Sequence, residues 1–297
     1  MKDEYLKEIE AIVGLDIGNR GLSEMLQYGD LQSAVDELYN SKRVIIITGF
    51  CIKDTMTGET DGPIGAVSLA NCLMQIGKEV LVVTDEYSKG LVAGCCKGLN
   101  INLEIEVVPF NNTDDYCRGI INGFNPTHIV AIERPGRASD GRCYSMRGED
   151  ITGFVPNTDT FFHLALELGI TRIAIGDGGN EMGMGKIATQ LKENISNGHD
   201  ICAITSTDYL IVAGVSNWGG HGLGAGLSIM SEEMLLHEAT EEIAMLKGMV
   251  SAGGVDGCSK KNEMTVDGLS LEINLHMFEK IRNVVVNALQ REKKEIC

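Results

Sequence analysis

A chain of 297 residues, 43% hydrophobic and 23% charged, is long enough to bury a core without staples and has the balance of a globular protein. Its formal net charge of −17 argues against nucleic acid and against a membrane as partners, because such a surface repels polyanions and anionic lipid. The nine cysteines contain no CxxC pair, which argues against thiolate zinc and points to a reducing, cytoplasmic setting.

The chain opens on MKDEYLKEIEAIVGLD, which mixes acids and bases at helical spacing and has neither the basic start nor the apolar centre of a signal peptide. RVIIITGF (43–50), EVLVVTD (79–85), LEIEVVPF (103–110), THIVAIERPG (127–136), TRIAIGDGG (171–179) and YLIVAGVSN (209–217) then read as strands. Each is a nearly continuous apolar run, the pattern of a strand covered on both faces and hence of a parallel sheet. Helices are expected between them. PIGAVSLANCLMQIG starts with Pro63 in its first turn and stops at Gly77. NTDTFFHLALELG starts at a Thr158 or Asp159 cap and stops at Gly169. IATQLKENI (187–195) follows a glycine-rich loop, and two amphipathic helices are expected over 232–248 and 272–295. These last two could pack internally or pair subunits, which leaves a homo-oligomer open. The alternation predicts one α/β domain over residues 1–297: a doubly wound, mostly parallel, Rossmann-like sheet with peripheral helices.

Ligands of such sheets sit at the carboxyl ends of the strands. In this chain those ends are TGETDGP, TDEYSKG, IERPG, GDGGNE and SNWGG, which are also its most polar, glycine-rich stretches. The loop IGDGGNEMGMGK (175–186) fails the Walker pattern at Asn180 and Ile187. Its GMGKIA lies about seven residues beyond the fifth strand, where no dinucleotide fingerprint belongs. Asp85 occupies a ribose-acid position without the glycines that would support it. There is no GxSxG and no HExxH. His163 reads as a structural residue of an apolar helix, and His221, after SNWGG, is the histidine nearest a strand end.

Carboxylates remain. Asp61, Glu133, Asp177 and Glu181 all fall near strand ends, and Asp177 and Glu181 would share a face if a helical turn began there. Oxygen donors of this kind suit Mg²⁺ or Mn²⁺. ERPGRASDGRCYSMRGED carries Arg134, Arg137, Arg142 and Arg147, whose forks suit a small anionic ligand. The plainer use of those arginines is salt bridging to Glu133, Glu149 and Asp150. The loop 136–159 and the segment 248–270 are long enough to be functional.

GETDGPIGA, IERPGRASDGRCYSMRGEDI, IGDGGNEMGMGK and GVSNWGG, with DIGNRG (16–21) and VDGCSKKNEMTVDGL (255–269), resemble the signatures of the D-glutamate cyclase family. The likeness spans roughly residues 14–290 and is to stand-alone microbial relatives of the C-terminal domain of larger mitochondrial members. It implies a hydro-lyase that closes D-glutamate to 5-oxo-D-proline and water, assisted by Mn²⁺ or Mg²⁺. In that scheme Asp177 and Glu181 hold the metal, with Glu133 or Asp61 completing the shell. Arg147 or Arg134 clamps the α-carboxylate, and Asp61 or Asp150 is the general base. Glu133 is counted among the catalytic acids as well. Thr60, Asn180 and Asn217 add substrate contacts, with Trp218 as a wall. A metal-dependent phosphohydrolase or nucleotide-handling enzyme, and a non-catalytic module that binds a small ligand, are the competing readings.

Overall fold

The computed structural model describes residues 2–195 and 197–295. Its strands are β1 (Arg43–Thr48), the hairpin β2 (Cys51–Ile52) and β3 (Thr57–Gly58), β4 (Glu79–Thr84), β5 (Glu104–Val107), β6 (His128–Ile132), β7 (Thr171–Gly176), β8 (Tyr209–Val212), and the hairpin β9 (Thr265–Val266) and β10 (Leu269–Ser270). One sheet has the order β5-β4-β1-β6-β7-β8, with every pairing parallel. Counted along the chain this is 3-2-1-4-5-6, the doubly wound order, and its topological switch lies between β1 and β6.

Along β1 the side chains alternate between two cores. Val44 and Ile46 face one layer, Ile45 and Ile47 the other. The edge strand β5 departs from the expectation of two covered faces: Glu104 is exposed and the other three residues are only half-buried. The first layer holds α1 (Lys2–Val13), α2 (Asp30–Asn40), α3 (Pro63–Gln75) and α4 (Lys89–Leu99). The second holds α5 (Thr113–Phe124), α6 (Asp159–Leu168) and α7 (Ala188–Asn194), followed by the single turn α8 (Gly198–Ile201). The chain then returns to the first layer through α9 (Ser216–Ser231), α10 (Ala239–Ser251) and α11 (Leu271–Glu295). Pro63 stands at the start of α3, and Gly169 ends α6 in the left-handed region at φ 68°.

Three expectations are corrected. SNWGG does not end a strand; it begins α9, a buried helix with five glycines. Glycine disfavours helices locally, but here it lets backbones touch: a Cβ on Gly220 would lie 2.5 Å from the Gly65 carbonyl oxygen on α3. Residues 232–238 are not helical; α10 starts at Ala239, where Glu238 and Glu241 form a capping box. His163 is exposed on α6 rather than packed. The last helix does pack internally, burying Phe278, Ile281 and Val285. Of the described cysteines only Cys258 is exposed, and all are free thiols; Cys297 lies outside the described residues. Among the described residues no helix is long and apolar enough to cross a membrane.

Candidate active site

Three strand ends stand level at the switch point, because Thr48 pairs with Ile132 and Ile132 with Ile175. The residues that follow build the site. Glu133 leaves β6 with φ 45°, a left-handed conformation that is costly for a residue with a side chain. Its Oε2 accepts a 2.6 Å bond from Ser216 Oγ at the start of α9. Gly62 makes room for it: a Cβ there would lie 2.7 Å from Glu133 Cβ.

After β7 the glycine loop wraps around the carboxylate of Glu181. Oε1 accepts from the Asp177 amide at 3.2 Å and Oε2 from the Gly179 amide at 2.6 Å. A side chain at Gly178 would meet Glu181 Oε1 at 2.8 Å. Asp177 and Glu181 are therefore brought together by a tight loop, not by the helical turn expected from their spacing.

Beneath them, two helix N-termini are tied to each other. Asp61 accepts from the backbone amides of Ser216 and Asn217 at the head of α9, each at 2.8 Å. Asn217 Oδ1 in turn accepts from the amides of Gly62 and Gly65 at the head of α3, at 3.0 and 2.8 Å. Each residue satisfies donors the other helix leaves open.

Over the carboxylates lies Arg20, which no local pattern singles out. Its Nη1 is 2.6 Å from Asp177 Oδ1 and its Nη2 is 3.0 Å from Asp267 Oδ2. Carboxylate oxygens of Glu133, Asp177 and Glu181 fall within 4.8 Å of one another, as do those of Asp61, Asp177 and Asp267. Asp177 belongs to both sets, and its Oδ2 is buried with no hydrogen-bond partner. A cavity of about 240 Å³ opens onto this floor, lined by Arg20, Glu59, Glu133, Asp177, Glu181 and Asp267 among others. Lys53, Arg147 and Lys260 also line it, from the hairpin and the two long loops.

Burial is the first cause that raises the acid constants here, and repulsion between neighbouring carboxylates the second. Glu59, Glu133 and Asp267 are held well above the usual carboxylate range. Asp61 is pushed up to about 7 by burial and then by Asp267. Asp177 also reaches about 7, burial outweighing the opposing pull of Arg20. So many buried carboxylates cannot all be charged on the strength of Arg20 alone, and a further cation would compensate them. Hard oxygen donors, one with an orphaned atom, fit a divalent ion of the Mg²⁺ or Mn²⁺ type.

The structure brings Glu133, Asp177, Glu181, Asn180 and Arg147 to the cavity wall. Asn180 also ties two loops, donating to the Tyr144 carbonyl at 2.7 Å. Asp61, Thr60, Asn217 and Trp218 stand behind that wall. Thr60 bonds the Thr265 carbonyl, and Trp218 is buried with its Nε1 on Asn274. Arg134 is elsewhere: fully buried, it pairs with Asp85 and donates to Thr158 Oγ1 and the Gly49 carbonyl. Asp150 is exposed, bonding the Thr152 amide, and is absent from the lining. Of the four clustered arginines only Arg147 reaches the cavity, while Arg142 stays with Asp140 and Asp150. Glu59 also lines the cavity, from the strand-end segment TGETDGP, where its sequence neighbours do not mark it. Arg20 sits in DIGNRG, a segment marked only by the family likeness, and Asp267 in the second VDG turn of the long segment 248–270.

Fold and site together define a Rossmann-like α/β protein with an acid-floored, small-ligand pocket at the switch point of its sheet. The chain belongs to the D-glutamate cyclase-like, C-terminal family, whose profile matches residues 9–282. It is 34% identical over 241 residues to the mitochondrial D-glutamate cyclase of Homo sapiens. That alignment covers 76% of this chain and 39% of the human protein, so the chain spans well under half of this relative.

Proposed function

We propose that the protein is a hydro-lyase that cyclises D-glutamate to 5-oxo-D-proline and water at this pocket, with a divalent cation. The observation that carries the reading is Asp177: one oxygen held by Arg20, the other buried and unpartnered beside Glu133 and Glu181. Asp177 and Glu181 would hold the cation, with Glu133 beside them. When bound, it would polarise the γ-carboxyl group and offset the charge that develops there.

The rest is assigned to the chain's own side chains. Arg147 and Lys53 meet the substrate α-carboxylate at the mouth, while the γ-carboxyl group reaches the floor and the ammonium faces Glu133. Glu133, whose proton affinity is raised, accepts a proton from that ammonium. The freed nitrogen attacks the γ-carbon, the C–N bond forms and a C–O bond breaks. Both protons lost by nitrogen end on the departing oxygen, giving water. Asn180 and the glycine loop keep the floor rigid, so the two ends of the substrate are held close.

A phosphate-handling reading is less well supported. Phosphate favours free helix N-termini, and those of α3 and α9 are already capped by Asn217 and Asp61. The test is incubation with D-glutamate or L-glutamate, with Mn²⁺, Mg²⁺ or chelator, followed by chiral chromatography for 5-oxoproline. Metal-dependent 5-oxo-D-proline is expected. No product with either ion, or phosphate release from nucleotides in its place, would sink the proposal.

A further inference from the structure

A second cluster lies on the same helix as the floor of the pocket but deeper in the first core layer. His221 is five residues beyond Ser216 on α9, roughly 7 Å along its axis. It faces His237, which precedes α10, and Glu242 within α10. His221 is 0% exposed and the other two 5%. His237 Nε2 lies 2.7 Å from Glu242 Oε2, and His221 Nε2 lies 3.4 Å from the same oxygen without hydrogen-bond geometry. Both ring nitrogens of His221 are buried and unpartnered. One donor atom from each residue falls within 4.8 Å of the others.

His237 satisfies the Glu242 carboxylate, but His221 is left with no acceptor for its N–H. A carboxylate enclosed in the core needs compensating charge, and a neutral imidazole must direct its N–H at an acceptor. Among the described residues, two imidazoles reach the Glu242 carboxylate. Phe278 closes the cluster from α11, with ring centroids 4.8 Å from His221 and 4.6 Å from His237. His237 is oriented from behind, its Nδ1 3.3 Å from Ser68 Oγ on α3, the kind of outer contact that fixes a ligating ring.

We propose that His221, His237 and Glu242 supply three ligands of a second metal site, for a zinc-type ion with water in the fourth position, separate from the acid-floored pocket. Two imidazoles and one carboxylate are the donor set of borderline transition ions, whereas the pocket offers only hard oxygens. Ligands on a tetrahedral zinc stand about 3.3 Å apart, given bonds of ~2.0–2.1 Å. The His221 pair already has that spacing; the His237 pair must open slightly. Because the site is buried, the ion enters as the chain folds. It then pins α9 to α10 and, through Ser68, to α3. The role is structural and independent of the reaction proposed above.

The experiment uses full-length protein expressed with zinc in the medium and dialysed against chelator. An Asp177→Asn background removes the pocket's contribution. About one zinc per chain is expected in that background by elemental analysis, and none when His221→Phe is added. Cobalt in place of zinc should give the visible bands of a tetrahedral, nitrogen-ligated ion, absent from the His221→Phe protein. If His221→Phe does not fold, Glu242→Gln makes the same comparison, and the cobalt spectrum of the Asp177→Asn protein decides alone. Zinc contents that are equal with and without His221, no retained zinc in the Asp177→Asn background, or a cobalt spectrum of oxygen-ligated octahedral type would overturn the site.

Discussion

Arg134 and Arg20 each meet a buried aspartate at the carboxyl edge of the sheet, but the two pairs have opposite characters. Arg134 is sealed against Asp85, and other donors of its fork go to Thr158, Gly49 and Pro156. Arg20 keeps 20% of its side chain exposed, spans Asp177 and Asp267, and leaves an Asp177 oxygen unpartnered. The first guanidinium is part of the architecture, sealed from any ligand by its burial. The second is a replaceable positive charge over groups that can accept another cation. Arginine content alone does not mark a binding site; spare valence around it does.

The contrast can be broken most sharply at its centre. Asp177→Ala should remove divalent-ion binding and reduce turnover roughly a thousandfold, ~4 kcal/mol of transition-state stabilisation, with the fold retained. Calorimetric titration with Mn²⁺ and an assay for 5-oxoproline check it. Arg134→Met should act on the fold instead. It strands Asp85 in the core, and breaking such a pair costs about 3–5 kcal/mol, readable by urea denaturation.

The pH response separates the pairs next. In the folded protein Asp61 and Asp177 titrate at about 7, above the ~3.9 of an unfolded aspartate. A raised carboxylate adds stability that is complete below about pH 4 and is lost as pH climbs through about 7. The melting temperature of metal-free Asp177→Asn should therefore pull ahead of wild type between pH 4 and 7, then hold its lead. Adding Mn²⁺ should close the gap by stabilising wild type only. A smaller effect is expected from Arg20→Gln, which removes a competing positive charge and should tighten Mn²⁺ binding severalfold. Smallest is Arg147→Lys, a few-fold rise in KM at unchanged melting temperature, because a point charge cannot copy a fork.

The contrast also shows what could be read from sequence. β-branched runs at helical intervals were enough to predict the parallel sheet, and Pro63 and Gly169 marked real helix boundaries. Glu133, Asp177 and Glu181 were legible because strand ends converge wherever strands are parallel. Arg134 looked equivalent to Arg20 because sequence records charge, not what surrounds it. Arg20 and Asp267 arrive from opposite ends of the chain, 157 and 90 positions from Asp177, and no local period encodes that meeting. α9 is hidden in the sequence for a related reason. Its glycines lower intrinsic helicity, and the helix exists because α3 and β7 pack against a surface only glycine can present.

Gly62 takes part in no proposed chemical step, yet it governs a residue that does. Its φ of 96° suits few other residues, and any side chain would press on Glu133 and on Thr48, 2.8 Å away. In terms of inheritance, the site can be damaged by a change at a position with no functional group to lose. A survey of variants that tracked only acids and arginines would score Gly62→Ala as benign.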